Sequence, residues 1–375
     1  MHNRKQLLTI ITIGLAVALG VIYLNRTKIA NEVIPLAFKP TDTTLPQLET
    51  LPQSTEEVVA ENLKVPWEIA FLPDNTMLVT ERSGTLKHIT SATTSINVEG
   101  VYQRGEGGLL GMALHPNFKD NNYIYLYSTT QSANGLTNRV ERYVYKNEKL
   151  SDRKAILENI PGANNHDGGR IAFGPDGFLY IATGDAENTA NAQDRNSLAG
   201  KILRIKDDGT IPSDNPFKNA TYSYGHRNPQ GIAWDSTGQL WSTEHGPSGT
   251  QTGYDELNRI EKGGNYGWPT IKGDQAKDGL ITPVLNSGAN DTWAPAGLAY
   301  YRGLLIFSGL RGESIYSTAV TDGKVGTLTN YLRKKYGRIR AVVAGPDGSL
   351  YITTSNTDGR GSAKPGDDKI IKIKF

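Results

Sequence analysis

A short pattern recurs six times along the chain and constrains its fold more than any other feature. Each copy has a small or apolar lead-in, a turn rich in Pro, Asp and Gly, and then a run of β-branched and aromatic residues; the copies begin at Ala70, Ala113, Ala172, Ala233, Leu298 and Ala344. The pattern predicts a β-hairpin, and a mean spacing of about 55 residues matches one propeller blade with its loops. We therefore predict an all-β fold, a six-bladed β-propeller with four-stranded antiparallel blades.

The predicted ring of sheets also indicates where a site would form. Each sheet packs between two others, and loops from every blade meet at one end of a central channel. Functional residues are therefore expected in loops beside the repeats. An array of β-sandwiches is the alternative architecture, although the repeats are longer than a hairpin and shorter than a sandwich domain.

The first 60 residues lie outside the repeat pattern. Leu7–Leu24 is a run of 18 residues without a charge, and two basic residues precede it. As a helix this run would span about 27 Å, close to the thickness of a bilayer core. We expect residues 1–28 to form an uncleaved N-terminal anchor helix, with a cleaved signal peptide as the alternative. Residues 29–60 would be a flexible linker, and residues 61–375 a periplasmic or otherwise extracytoplasmic propeller held at the inner membrane.

The composition excludes several kinds of site. The chain has no cysteine, which excludes disulfides, thiolate metal sites and cysteine nucleophiles. Its 40 Lys and Arg residues nearly balance 38 Asp and Glu residues, so nucleic acid is not an expected partner. Neither a glycine-rich phosphate-binding motif nor a G-x-S-x-G nucleophile motif occurs. Imidazole chemistry falls to six histidines.

His166 is the histidine best placed for catalysis. It lies in a glycine-flanked loop before the third repeat, 19 residues ahead of Asp185. A carboxylate that contacts one imidazole nitrogen fixes the tautomer and raises the basicity of the other nitrogen, as a general base requires. The alternative is a structural histidine. His226 and His245 lie near the predicted site as well, but no orienting acid is evident for either.

Two further groups of residues indicate an anion and a hard metal ion. At alternate positions of a strand, Arg338 and Arg340 would point to the same side and repel each other unless an anion lies between them. A ligand rich in carboxylates would satisfy this pair and Arg311; otherwise all three are surface arginines. Between residues 244 and 269 there are carboxylates, carbonyl groups near Gly and Pro, and a Tyr oxygen, which suit Ca²⁺ rather than zinc or copper. No EF-hand spacing is present.

Four glycine-containing motifs follow one another along the chain. They are Gly107–Gly111, Gly225–Gly231, Glu244–Pro247 and Asn265–Pro269. Together they make the chain resemble the soluble sugar dehydrogenases that depend on pyrroloquinoline quinone (PQQ), the glucose/sorbosone dehydrogenase family, and especially its aldose sugar dehydrogenase branch. The resemblance extends from about residue 60 to the C-terminus. It implies a six-bladed propeller, in agreement with the repeats.

The resemblance also implies a role for individual residues. His166 corresponds to the catalytic base and Asp185 to the acid that orients it. The residues implied to contact the quinone are Glu106, Arg227, Asn228, Arg311, Arg338 and Arg340. The implied calcium ligands are the carbonyl groups of Gly246 and Pro247 together with Glu256 and Tyr266. The implied activity is PQQ- and Ca²⁺-dependent oxidation of an aldose sugar at its anomeric carbon to a lactone, with an external electron acceptor reoxidising the cofactor.

Two positions depart from the family pattern. Glu106 stands where the family usually has Gln, and an ionised carboxylate there would oppose a bound anion unless it is protonated, paired with Arg104 or turned away. Asn165 stands where the glucose-specific members have Asp, so we expect oxidation of a broader range of aldoses. Two other functions stay open: a calcium-dependent hydrolase such as a lactonase, which would use His166 but not the arginines, and a non-catalytic binding propeller.

Overall fold

The computed structural model describes residues 47–133, 135–247 and 253–375, which form six antiparallel sheets around a central channel. The first three sheets contain β2 (Pro66–Phe71), β3 (Met77–Glu81), β4 (Thr85–Ile89) and β5 (Thr94–Asn97); β6 (Leu109–Leu114), β7 (Tyr123–Ser132), β8 (Gly135–Lys146) and β9 (Lys149–Pro161); and β10 (Ile171–Phe173), β11 (Leu179–Thr183), β12 (Lys201–Ile205) and β13 (Thr221–Tyr224).

The other three sheets complete the ring. They contain β14 (Pro229–Trp234), β15 (Leu240–Glu244), β16 (Glu256–Arg259) and β17 (Leu285–Asn286); β18 (Pro295–Tyr301), β19 (Leu304–Gly309), β20 (Ser314–Thr321), β21 (Lys324–Val325) and β22 (Thr329–Tyr331); and β1 (Thr55–Ala60) with β23 (Ile339–Ala344), β24 (Leu350–Thr354) and β25 (Ile370–Lys374). Two short helices, Phe118–Asn121 and Ala190–Gln193, lie in loops.

The predicted six-bladed propeller is confirmed, and each predicted hairpin forms the two strands of a blade nearest the channel. Ala70, for example, lies near the end of β2, and the turn after it leads into β3. The first strands of neighbouring blades contact one another around the channel. One blade departs from the prediction of four strands, because both β21 and β22 pair with β20.

Each blade is buried on both faces because it packs between two others. Six clusters of buried apolar side chains lie among the described residues, and each joins neighbouring blades. One of them joins Leu78 and Leu86 of the first blade to Leu109 and Ile124 of the second. Burial on both faces explains why β19 and β24 are buried along their whole length instead of alternating.

The N-terminal predictions have different outcomes. The linker predicted for residues 29–60 extends too far, since Thr55–Ala60 pairs with β25 and closes the ring, and Leu51 is buried against the same blade. Thr55–Ala60 has three polar residues followed by three apolar ones and does not alternate, so no strand signal separated this edge strand from a linker. The anchor predicted at residues 7–24 lies outside the described residues. Among the residues that are described, no helix is long and apolar enough to cross a membrane.

The antiparallel hairpins determine which loops meet. The beginning of the first strand and the end of the second strand of a hairpin lie at the same end of a blade. Glu106, His166 and Arg227 each precede a first strand, whereas Asp185 and Gly246 each follow a second strand. Loops that are far apart in sequence are thereby brought to one end of the channel.

Candidate active site

A cavity of about 410 Å³ lies at this end of the channel. Its volume is within the range of about 300 to 1,000 Å³ that is usual for small-molecule sites. The predicted site residues that line it are Glu106, His166, Arg227, Gly246, Pro247, Arg311 and Arg338. An adjoining pocket is lined by His166, Asp185, Glu187 and Trp268 among others. The structure thus brings the predicted base and three of the predicted arginines together.

His166 and Asp185 form the predicted pair. The His166 Nδ1 lies 2.7 Å from Asp185 Oδ1, and the Asp185 side chain is fully buried. Because a carboxylate only accepts hydrogen bonds, the proton belongs on Nδ1 and the Nε2 lone pair is left available. Asp185 is itself held, since its Oδ2 accepts from Trp268 Nε1 at 2.8 Å and its Oδ1 accepts from the Glu187 backbone N–H at 2.9 Å.

The loop that carries His166 is held in an unusual conformation. His166 has φ 64°, in the left-handed region that non-glycine residues rarely adopt. A side chain at Gly184 would place its Cβ 1.9 Å from the His166 carbonyl oxygen, so the end of β11 can approach this loop only as glycine. Asn228 Oδ1 accepts from the Gly168 backbone N–H at 3.0 Å. Asn228 therefore lies behind the loop and stabilises it from below.

The arginines give the cavity a cationic wall. Arg311 has no side-chain hydrogen bond or ion pair with any described residue, so its charge is available to a ligand. Arg338 donates to the Leu310 carbonyl and to Asp358. Arg340 lies below the cavity and bonds to Ser355 Oγ and Gln230 Oε1, both at 3.3 Å. Burial lowers the pKa of Arg340 to about 9, although the negative charge of Asp358 opposes this shift.

Asp358 is the anion between Arg338 and Arg340, which the sequence analysis assigned to a ligand. Asp358 Oδ2 lies 2.9 Å from Arg338 Nη2 and 3.9 Å from Arg340 Nη2. Burial would raise the pKa of Asp358, but the two guanidinium groups outweigh it, and the pKa is lowered. The protein therefore compensates part of the charge of this pair, and Arg311 carries the least compensated charge in the wall.

Glu106 is ionised and paired, but with a different residue from the one considered above. Its Oε1 accepts from Arg360 Nη1 at 2.6 Å, whereas Arg104 donates to Asn164 Oδ1 instead. Burial would raise the pKa of Glu106, but positive charge on His245 and Arg360 lowers it to about 2. Burial lowers the pKa of His245, whereas Arg360 makes the hydrogen-bonded ion pair with Glu106.

The four predicted calcium residues fall into two groups. Gly246 and Pro247 line the cavity, and no hydrogen bond from a described residue reaches either carbonyl oxygen. Asp255 fixes this loop by accepting from the backbone N–H of Gly246 at 2.9 Å and of Trp293 at 2.7 Å. Exposed carbonyl oxygens of this kind suit a hard cation.

Glu256 and Tyr266 do not line the cavity. Glu256 begins the third strand of its blade, farther from the channel, and burial together with the charge of Glu244 raises its pKa to about 8. The Tyr266 hydroxyl donates to the Arg259 carbonyl at 2.6 Å and accepts from the Glu261 backbone N–H. No cluster of three or more His, Asp or Glu side chains arranged for a metal is found in the described ranges.

Several residues of the site escaped the sequence analysis. His226 does have an acid, because its Nδ1 lies 2.9 Å from Glu244 Oε2, but it is fully buried beneath the site and is structural. Asp358 and Arg360 lie in a loop after β24, where the Asp-Gly-Arg-Gly sequence was an available but weak signal. Trp268 belongs to the Asn265–Pro269 motif, but nothing in the sequence indicated that its indole would reach Asp185.

Known proteins share this architecture and much of this sequence. The family model described as Glucose / Sorbosone dehydrogenase matches residues 63–364. The aldose sugar dehydrogenase YliI of Escherichia coli is 35% identical over 342 residues, which cover 81% of this chain and 90% of that protein. The quinoprotein glucose dehydrogenase B of Acinetobacter calcoaceticus is 34% identical over 63% of this chain and 56% of that protein.

A solved structure agrees over almost its whole length. The PQQ-bound form of an aldose sugar dehydrogenase from Streptomyces coelicolor is 40% identical, with a TM-score of 0.80, and the match covers 87% of this chain and 99% of that one. The family match spans most of the propeller, including every residue placed in the cavity above. The chain therefore belongs to the glucose/sorbosone dehydrogenase family.

Proposed function

We propose that this protein oxidises aldose sugars at the anomeric carbon to lactones, with PQQ as the hydride acceptor, Ca²⁺ as its metal and His166 as general base. Family membership makes the chain a sugar oxidoreductase. The PQQ-bound relative and the quinoprotein relative support the choice of cofactor. The observation that carries the proposal is one cavity in which Arg227, Arg311 and Arg338 face the same space as His166.

The cavity fits a flat tricarboxylate. Guanidinium groups form strong, charge-assisted hydrogen bonds with carboxylates, and Arg311 has no competing partner among the described residues. His245 Nε2 is buried without a hydrogen-bond partner and belongs to a residue that lines the cavity. A hydrolase would have no use for this set of cations, so the wall favours a quinone acid over the lactonase alternative.

The chain's own residues would prepare the sugar for hydride transfer. His166 Nε2 accepts the proton of the anomeric hydroxyl, and Asp185 stabilises the imidazolium that forms. The carbonyl groups of Gly246 and Pro247 would hold Ca²⁺. When bound, PQQ and Ca²⁺ supply the electron-accepting and Lewis-acid chemistry. An external electron acceptor would take up the two electrons removed from the sugar.

One assay separates the candidate functions. Purified protein is mixed with Ca²⁺ and PQQ, and dye reduction is followed with a panel of aldoses. Activity that requires the quinone supports the proposal, hydrolysis of a lactone without quinone would support a lactonase, and neither activity would indicate a binding propeller. His166→Ala should lose turnover while PQQ affinity changes by less than about threefold. Retained turnover would remove His166 from the role of base.

We further propose that the propeller works outside the cytoplasm, held at the inner membrane by residues 7–24. The proposal is motivated by the uncharged run of 18 residues there. Fractionation of cells and a mass measurement of the mature N-terminus test it. Recovery in the membrane fraction with an intact N-terminus is expected, and a soluble periplasmic form cut after the apolar run would indicate a signal peptide.

A further inference from the structure

A single guanidinium group holds both positions at which this chain departs from the family pattern. Arg360 lies in the loop after β24, and its side chain is 54% exposed. Its Nη1 donates to Glu106 Oε1 at 2.6 Å, and its Nη2 donates to Asn165 Oδ1 at 2.7 Å. Arg360 thus reaches across the mouth of the cavity from the closing blade to the loops before β6 and β10.

These two contacts belong to a longer chain of hydrogen bonds around the cavity mouth. The second Glu106 oxygen accepts from the His166 backbone N–H at 3.0 Å. Asn165 Nδ2 donates to Glu187 Oε1 at 2.8 Å, so both ends of the Asn165 carboxamide have a protein partner. The Arg360 backbone N–H donates to Asp358 Oδ1 at 2.8 Å. The loop of the predicted base is therefore connected through Arg360 to the arginine wall.

Arg360 is the group that compensates the charge of Glu106. The Glu106 side chain is only 15% exposed, so its charge is poorly screened by water. His245 also faces Glu106 but makes no hydrogen bond to it, and His166 contributes only its uncharged backbone N–H. Arg82 and Arg340 face Glu106 without a hydrogen bond to it and also face Asp358, while Arg227 donates to the His245 carbonyl at 3.3 Å. The buried carboxyl group of Asp167 also faces Glu106, and burial raises its pKa to about 7.

We propose that Arg360 is a positioning residue of this site, which neutralises Glu106 and thereby permits an anionic cofactor to bind beside a carboxylate. By fixing Asn165 it also withholds that side chain from the substrate, which favours a broad range of aldoses over one recognised hydroxyl pattern. This inference rests on the proposed function. A carboxylate at position 106 and an arginine at position 360 then act as one unit, in which the arginine is required as long as the carboxylate is present.

Rescue of PQQ binding by a second substitution tests whether Glu106 and Arg360 act as one unit. The dissociation constant of PQQ is measured by fluorescence quenching on Ca²⁺-loaded apoprotein at pH 7.5. Arg360→Met should weaken binding by about tenfold or more, because it leaves the Glu106 charge uncompensated. Arg360→Met combined with Glu106→Gln should return to within about threefold of the unmodified protein, since both charges are then gone. Arg360→Lys, which keeps the charge, should lose less than about threefold.

Arg104 provides the matched control. It is a neighbouring arginine that binds the same loop through Asn164 Oδ1 at 2.9 Å but makes no contact with Glu106. Arg104→Met should leave PQQ affinity within about twofold. If the double variant binds as weakly as Arg360→Met, or if Arg360→Met binds as tightly as the unmodified protein, the proposal is wrong and Arg360 only packs its loop.

A second measurement separates this proposal from the proposed function. In the apoprotein, Arg360→Met should lower the unfolding temperature at pH 7.5, and Glu106→Gln in that variant should restore it. If the unmodified protein does not bind PQQ at all, the proposed function fails, and the pairing of Glu106 with Arg360 is then judged on unfolding alone. Equal destabilisation by Arg360→Met with Glu or Gln at position 106 would overturn the pairing.

Discussion

Replacing Asp185 by Asn tests how the base is oriented, because the carboxylate accepts three hydrogen bonds that a carboxamide cannot all accept. Oδ1 accepts from His166 Nδ1 and from the Glu187 backbone N–H, whereas Oδ2 accepts from Trp268 Nε1. With its oxygen at the Oδ1 position, Asn keeps two of these bonds and places its amide against Trp268. In the opposite orientation it keeps the bond from Trp268, donates to His166 Nδ1 and so forces the His166 proton onto Nε2, and it places its amide against the Glu187 backbone N–H.

The hydrogen-bond count sets the expected magnitude. Each orientation thus makes two hydrogen bonds and leaves one donor facing the amide, so about half of the molecules keep Nε2 free to accept a proton, which costs about twofold. What is lost is the charge that stabilises the imidazolium, a charge-assisted bond worth about 1.5 to 3 kcal/mol. We therefore expect kcat to fall by about 10²-fold, measured by dye reduction at saturating PQQ and aldose. An inverted tautomer would instead cost about 10⁴-fold.

A double variant distinguishes the two outcomes. If about half of the molecules hold the carboxamide introduced by Asp185→Asn with its oxygen at the Oδ1 position, Trp268→Phe removes only an opposing donor from them, and Asp185→Asn with Trp268→Phe should be no less active than the two single losses predict. If the Trp268 indole instead fixes that carboxamide in the inverted orientation, adding Trp268→Phe should recover about 10²-fold. That recovery, or a loss below about fivefold in Asp185→Asn alone, would refute this account of the base.

Three further predictions follow from individual contacts. Arg311→Met should weaken PQQ binding by about 10- to 100-fold in a fluorescence titration while leaving the unfolding temperature unchanged, because Arg311 has no internal partner in the described chain; a drop in unfolding temperature would contradict this. Glu106→Gln should leave PQQ affinity unchanged or improved, since it frees Arg360 to face the anion, and a large loss of affinity would refute the repulsion argument. Burial raises the pKa of Asp167 from its ordinary 3.8 to about 7 against hydrogen bonds from Asn138 and Ala163. The folded state therefore holds this proton more tightly than the unfolded state, and stability falls as pH rises from about 4 to about 7. Asp167→Asn should raise the unfolding temperature more at pH 8 than at pH 5, and an equal change at both values would contradict the assignment.

The architecture could be predicted because it repeats. Each hairpin has its own turn residues and apolar pattern, so the six copies predicted six blades without any knowledge of long-range contacts. The closing strand Thr55–Ala60 was missed because it pairs with the far end of the chain and its own sequence does not alternate between apolar and polar residues. The hairpins could therefore be predicted from local sequence, whereas the pairing of strands far apart in the chain could not.

Site residues could be predicted where the residue type itself indicates a chemical role. Three arginines, Arg311, Arg338 and Arg340, indicated an anion, and His166 with Asp185 indicated a base. The partners of these groups could not be predicted, because Arg360 approaches Glu106 only through the closure of the ring and Asp358 approaches Arg338 only through the pairing of β23 with β24. The finding that Gly246 lines the cavity and Glu256 does not likewise depends on strand position within a blade, which their spacing in sequence does not reveal.

A crystal structure of the protein with PQQ and Ca²⁺ tests the central claim most directly. We predict that the quinone lies in the 410 Å³ cavity, with its carboxylates on Arg227, Arg311 and Arg338 and its reactive edge towards His166 Nε2, and that Ca²⁺ contacts the carbonyl oxygens of Gly246 and Pro247. Quinone bound elsewhere, or a cavity that stays empty when both are present in excess, would contradict the account.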